Sequence, residues 1–201
     1  MKIPFQKYVE TKSRNLVIHN IINENEIISK IKPTDIIFFD DCTYDQYCFI
    51  KNNLSVLQSI PLVIGFSTGL YREESNQPIT GITTKELHDG FHRGDMSFKN
   101  GFMTLNEIIE LSNLDNIYIA LHGHDHLFLE NEKPYKRSLI FRSELNKSLT
   151  FLNQNDIKTN IFVYPYDFFD CMSTEILKNN GFFHIYPSKN NSRIYIEDVI
   201  E

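Results

Sequence analysis

The strongest constraint on this 201-residue chain is a series of short, nearly continuous apolar runs, each followed by a stretch with helical spacing. Asp35-Ile-Ile-Phe-Phe-Asp40, Pro61-Leu-Val-Ile-Gly-Phe66, Asn116-Ile-Tyr-Ile-Ala-Leu121 and Lys158-Thr-Asn-Ile-Phe-Val-Tyr164 all have strand length. Successive strand side chains point to opposite faces, so an unbroken apolar run is buried on both, as in parallel sheets covered by helices. Asn15–His19 reads as an earlier strand and Asn25–Ile31 as a helix. Asp45–Gln58 carries Tyr47, Ile50, Leu54 and Leu57 at helical spacing, and Leu139–Asn155 is a long amphipathic helix. Thr104 and Glu107 form a capping box for a helix over Leu105–Leu111, and Ser173 caps one over Thr174–Asn180 that stops at Gly181. Phe182–Tyr186 and Arg193–Ile196 read as the last strands. This alternation predicts an α/β fold. A complete eightfold barrel would sit at the lower limit for this length, so the expected architecture is a distorted or incomplete (β/α) barrel of about seven parallel strands.

No repeat or linker divides the chain, which predicts one domain over residues 1–201, with 1–34 as a leading segment and the polar stretch 71–100 as a long loop near the site. Hydrophobic residues at 41% exclude disorder, and a net charge of -6 argues against a nucleic-acid partner. No apolar run approaches the roughly 20 residues of a membrane span. The first ten residues lack the apolar stretch of a signal peptide, and the three cysteines form no CxxC pair. A cytoplasmic protein with reduced thiols is the expectation.

Three clusters of reactive side chains fall where predicted strands end, which is where parallel α/β folds build their sites. Phe38-Phe-Asp-Asp-Cys42 places two carboxylates after an apolar strand. In a regular strand they would oppose each other, so both reach one site only if the chain turns at Cys42-Thr43. Their plainer role is as a helix cap, for which Asp45 is better placed. His122-Gly-His-Asp-His126 offers three imidazoles in five residues, a density that points to a divalent transition metal. A helical segment would pair His122 with His126, whereas an extended one would align all three; Gly123 favours a turn and the first arrangement. The third cluster is Phe162-Val-Tyr-Pro-Tyr166. Gly123-His-Asp-His126 is also similar to the GHxH motif of calcineurin-like metallophosphoesterases, but the Asp-x-His and Asn-His elements of that family are absent.

In order, these elements resemble the polysaccharide deacetylase (NodB-homology) family: strand–Asp-Asp, helix, Pro and strand, Phe102-Met-Thr-Leu-Asn-Glu107, His-x-x-x-His, and a strand ending Pro-Tyr. The resemblance spans about Asp35 to Phe183. It implies a distorted barrel that hydrolyses an N-acyl group, most often acetyl, from an amino sugar with zinc, cobalt or nickel. Asp40 is then the general base, and Asp41, His122 and His126 are the ligands. Pro165 and Tyr166 line the substrate groove, and the Tyr166 backbone N–H helps hold the oxyanion. His184 and His124 are the candidate acids, His124 also being a substrate contact. The chain departs from the family pattern in having Cys42 for Gly and Val163 for the Arg that orients the base, with Arg72, Arg93 and Arg142 as candidate replacements. These departures keep a second expectation open, a barrel that binds metal or glycan without cleaving it. The expected substrate is a nucleotide-linked, lipid-linked or oligosaccharide amino sugar in surface-polysaccharide metabolism.

Overall fold

The computed structural model describes Phe5 and residues 14–168, 170–186 and 193–196. The strands are β1 (Arg14–Ile18), β2 (Asp35–Asp40), β3 (Leu62–Phe66), β4 (Ile117–Leu121), β5 (Ile161–Val163), β6 (His184–Tyr186) and β7 (Arg193–Ile196). The helices are α1 (Glu24–Lys30), α2 (Tyr44–Asn52), α3 (Leu54–Leu57), α4 (Thr84–His92), α5 (Leu105–Ser112), α6 (Pro134–Gln154) and α7 (Cys171–Asn179). The seven strands are ordered β6-β5-β4-β3-β2-β1-β7. β1 runs parallel to β2 and β7, and β5 runs parallel to β4 and β6. Parallel strands with helices in their connections and two edge strands make an open, incomplete (β/α) arrangement, the class the sequence predicts. No helix among the described residues is long and apolar enough to cross a membrane.

The chain divides into two compact units. The first holds β1, β2, the start of β3, residues 71–118 and β7. Every residue of β2 is buried, including the carboxylates at its two ends. Asp35 is held by the Lys32 N–H at 2.7 Å. Gln46, the third residue of α2, donates from Nε2 to the carbonyls of His19 (2.9 Å) and Asp40 (2.6 Å), tying together the ends of β1 and β2. The N-cap of α2 is Thr43, in a capping box with Gln46, rather than Asp45, whose carboxylate accepts from the Gly81 N–H at 2.8 Å. Asn53 then separates α2 from α3 within the stretch expected as one helix. The stretch 71–100 is not a bare loop. It contains α4, started by a Thr83–Glu86 capping box, and a 3-10 turn over Met96–Gly101. A Cβ on Gly90 would lie 2.3 Å from the Phe98 ring, so glycine there lets the turn close onto α4.

The second unit holds residues 65–70 and the chain from Ile119 to β6. Leu121, Phe162 and Tyr164 pack against Phe141 and Leu145 of α6 and Ile176 and Leu177 of α7. Helix α6 starts at Pro134, earlier than its apolar periodicity indicates. Helix α7 is capped by Asp170 rather than Ser173, which is instead the reciprocal partner in that capping box. Aspartate three residues before serine offers the Ser173 N–H a charged acceptor at 2.7 Å, a stronger cap than a hydroxyl.

Candidate active site

At the end of β2 the backbone turns sharply. Asp41 has φ 83° and Cys42 has φ 55°, two non-glycine residues in the left-handed region. Such residues cost about 1–2 kcal/mol each. The turn is held by the Met103 N–H donating to the Cys42 carbonyl at 2.8 Å and by the Thr43 cap. It takes Asp41 out of the strand's alternation, as two carboxylates bound for one site require, and it shows why a glycine would suit position 42. Burial, with the nearby Asp41 and Asp40 charges, pushes the Cys42 thiol well above its ordinary pKa, so it stays protonated. All three cysteines are unpaired.

Asp40 and Asp41 are both buried. Oδ1 of Asp41 is 2.8 Å from Nε2 of His88, a buried residue of α4, and Oδ2 is 3.7 Å from Nδ1 of the half-exposed His19 at the end of β1. The sequence placed His88 only within the long polar stretch 71–100, as part of a loop that could close over a substrate, and gave His19 no role. For His88 the usable signal was the Thr83-x-x-Glu86 capping box, which marks a helix inside the polar stretch. For His19 it was a place one residue past a strand end.

In the second unit, His122 and His126 are brought together without a helix. Gly123 (φ 83°) and His126 (φ 50°) fold residues 122–126 into a loop, so the two rings meet through left-handed turns rather than through i, i+4 helical spacing. A Cβ at Gly123 would also approach Pro165 to 3.3 Å. The residues after β3 clamp this loop through its backbone. Ser67 Oγ donates to the His122 carbonyl, and the N–H groups of Thr68 and Gly69 donate to the carbonyls of Gly123 and His124. Nδ1 of His122 donates to the Val163 carbonyl at 2.8 Å. A carbonyl only accepts, so the proton is on Nδ1 and Nε2 offers a lone pair. Nε2 of His126 lies 3.1 Å from that atom.

Among the described residues, one group of His, Cys, Asp or Glu side chains could hold a metal ion: Asp41, His122 and His126, all buried, each with one ligand atom within 4.8 Å of the others. One carboxylate oxygen and two imidazole nitrogens match zinc or another first-row divalent ion with positions left open, and the Val163 carbonyl is the outer partner that such a histidine needs. His124 is directed elsewhere: Nδ1 is 2.8 Å from Thr68 Oγ1. Tyr166 (φ 52°) places its ring 4.6 Å from that of His126 and 5.3 Å from that of Phe128. His184 is the first residue of β6 and pairs with Ile161, whereas Tyr186 at the other end of the strand pairs with Val163. It therefore lies two residues back from the strand ends that carry His122 and Pro165. Burial lowers its pKa. Arg72 is buried and committed, donating to Glu107 Oε1 (2.9 Å) and the Asn76 carbonyl (2.7 Å). Arg93 is the exposed C-cap of α4, and Arg142 is an exposed residue of α6.

No protein-family model matches the chain, and no curated protein does. Solved structures share its fold. IcaB from Ammonifex degensii superposes with a TM-score of 0.63 at 17% identity, over 90% of this chain and 86% of that one. A de-N-acetylase from Aggregatibacter actinomycetemcomitans gives 0.60 at 16%, over 97% and 76%. The Streptococcus pyogenes deacetylase PplD, solved in complex with acetate, gives 0.55 at 14%, over 85% and 81%.

Proposed function

We propose that this protein is a metal-dependent hydrolase that removes an N-acyl group, most often acetyl, from an amino sugar of a glycan. The observation that carries this reading is the buried Asp41, His122 and His126 set next to a second buried carboxylate, Asp40. Two solved structures of this fold are described as a de-N-acetylase and as a deacetylase holding acetate, which supports acyl transfer to water as the reaction class.

Asp41, His122 and His126 would hold the ion. When bound, a divalent cation acidifies water to near neutral pH and polarises the amide carbonyl. Asp40 accepts the proton of the attacking water as general base. The backbone N–H of Tyr166, in its left-handed turn beside His126, donates to the oxyanion. His19 is the proton donor to the departing amine: it follows β1, is part-exposed, and its Nδ1 lies 3.7 Å from Oδ2 of Asp41. This fills the role for which the sequence offered His184 and His124. The exposed rings of Tyr166 and Phe128 give the sugar an apolar face to lie against.

The test is acetate release from N-acetylated amino-sugar oligomers with zinc, cobalt or nickel present, set against chelated protein. Metal-dependent release that Asp40→Asn removes is the expected result. Binding of the oligomers with no release under any metal would replace this reading with the non-catalytic one.

A further inference from the structure

Resting on the proposed metal site, the geometry around Asp41 assigns a role to a side chain outside it. We propose that His88 is a positioning residue: by donating from Nε2 to Oδ1 of Asp41, it fixes the carboxylate in the rotamer that serves as a metal ligand. A carboxylate oxygen only accepts, so the 2.8 Å contact requires the proton on Nε2. Both side chains are 5% exposed, so no bulk water competes for the bond. Asp41 needs such a partner because its left-handed backbone has left the strand, whose pleat no longer dictates where the side chain points.

His88 is itself held by its helix and by the rings around it. The Thr83–Glu86 box fixes the start of α4, and Gly90 admits the Phe98 ring against the helix. The Phe102 ring lies 5.5 Å from the imidazole and the His92 ring 6.3 Å from it. Phe102 precedes Met103, whose N–H holds the Cys42 carbonyl, so one short segment supports both the turn that presents Asp41 and the ring that orients it. A fixed outer partner removes rotamer freedom that the ligand would otherwise lose on binding, and losing such partners typically weakens metal affinity by about 10–100-fold.

The experiment is a zinc titration of the full chain by competition with a chromophoric chelator, using wild type, Asp41→Ala, His88→Leu, His88→Asn and His88→Gln. Thermal midpoints of the metal-free forms show that each variant is folded. Leucine has no donor and the asparagine amide is too short, so both should bind zinc about 10–100-fold more weakly than wild type. Glutamine carries an amide donor close to the Nε2 position and should recover most of the affinity. Wild-type affinity in both His88→Leu and His88→Asn, with Asp41→Ala deficient, would overturn the positioning role alone. Equal losses in all three His88 variants would overturn it too, by making the ring a ligand. Zinc affinity unaffected by Asp41→Ala would overturn the metal site itself, and the positioning role with it.

Discussion

The carboxylate region at the end of β2 and the histidine region after β4 are built on opposite principles. Asp41 is steadied by side chains, His88 at 2.8 Å and His19 at 3.7 Å, each delivered by a separate element. His122 is steadied mainly by backbone: the Val163 carbonyl fixes its ring, and the Thr68 and Gly69 N–H groups clamp its loop at the carbonyls of Gly123 and His124, with the Ser67 hydroxyl as the one side-chain donor among these clamps. Backbone partners survive substitution at their own positions, whereas side-chain partners do not. The histidine region should therefore tolerate change around it, and the carboxylate region should depend on a few named residues.

The largest expected effect is at a ligand. His126→Ala should abolish zinc uptake and turnover together, read by metal analysis of the purified protein; zinc retained at unit stoichiometry would remove this histidine from the site. Next is Asp40→Asn, which should leave zinc binding unchanged and lower the rate by about 10²–10⁴-fold. An active asparagine variant would take the base role away from Asp40. Gly123→Ala strains the histidine loop directly, because alanine at φ 83° costs about 1–2 kcal/mol and its methyl meets Pro165. Denaturant melts should show that loss together with weaker zinc binding.

A pair of caps tests the contrast itself. Thr83→Ala and Asp170→Ala should each lose about 1 kcal/mol of stability as helix caps. Only Thr83→Ala should also weaken zinc binding, because α4 carries His88, a partner of Asp41. Equal zinc affinity in the two variants would erase the distinction between the regions.

The smallest effect is the pH dependence of the Asp170 cap. Burial raises its pKa, but the Ser173 N–H and Arg137 outweigh that and hold it below the ordinary carboxylate range. A depressed native pKa means the contribution is full above the unfolded pKa and is lost as pH falls through the native one. The stability gap between wild type and Asp170→Ala should thus be constant near neutrality and narrow under acid. A gap that widened under acid would contradict the assignment.

What the sequence disclosed follows the physics of each signal. The apolar runs ending at Asp40, Phe66 and Leu121 can be satisfied only as doubly buried strands, so both their class and the reactive residues at their ends were legible. The His122–His126 pairing was anticipated through the wrong geometry: Gly123 announced a turn, but nothing in a histidine announces a φ of 50°. His88 was obscured because α4 lies in a polar stretch with few apolar residues to mark its period, leaving a capping box as its one local sign. His19 and Asp41 are brought near each other by strand pairing between β1 and β2, a long-range relation that no local pattern encodes.

The most direct measurement is anomalous X-ray scattering at the zinc edge from crystals of the zinc-loaded protein. A single strong peak bound by Asp41, His122 and His126 at about 2.0–2.2 Å is the expected result. A peak held by other residues, or none in protein that has taken up zinc in solution, would contradict the account.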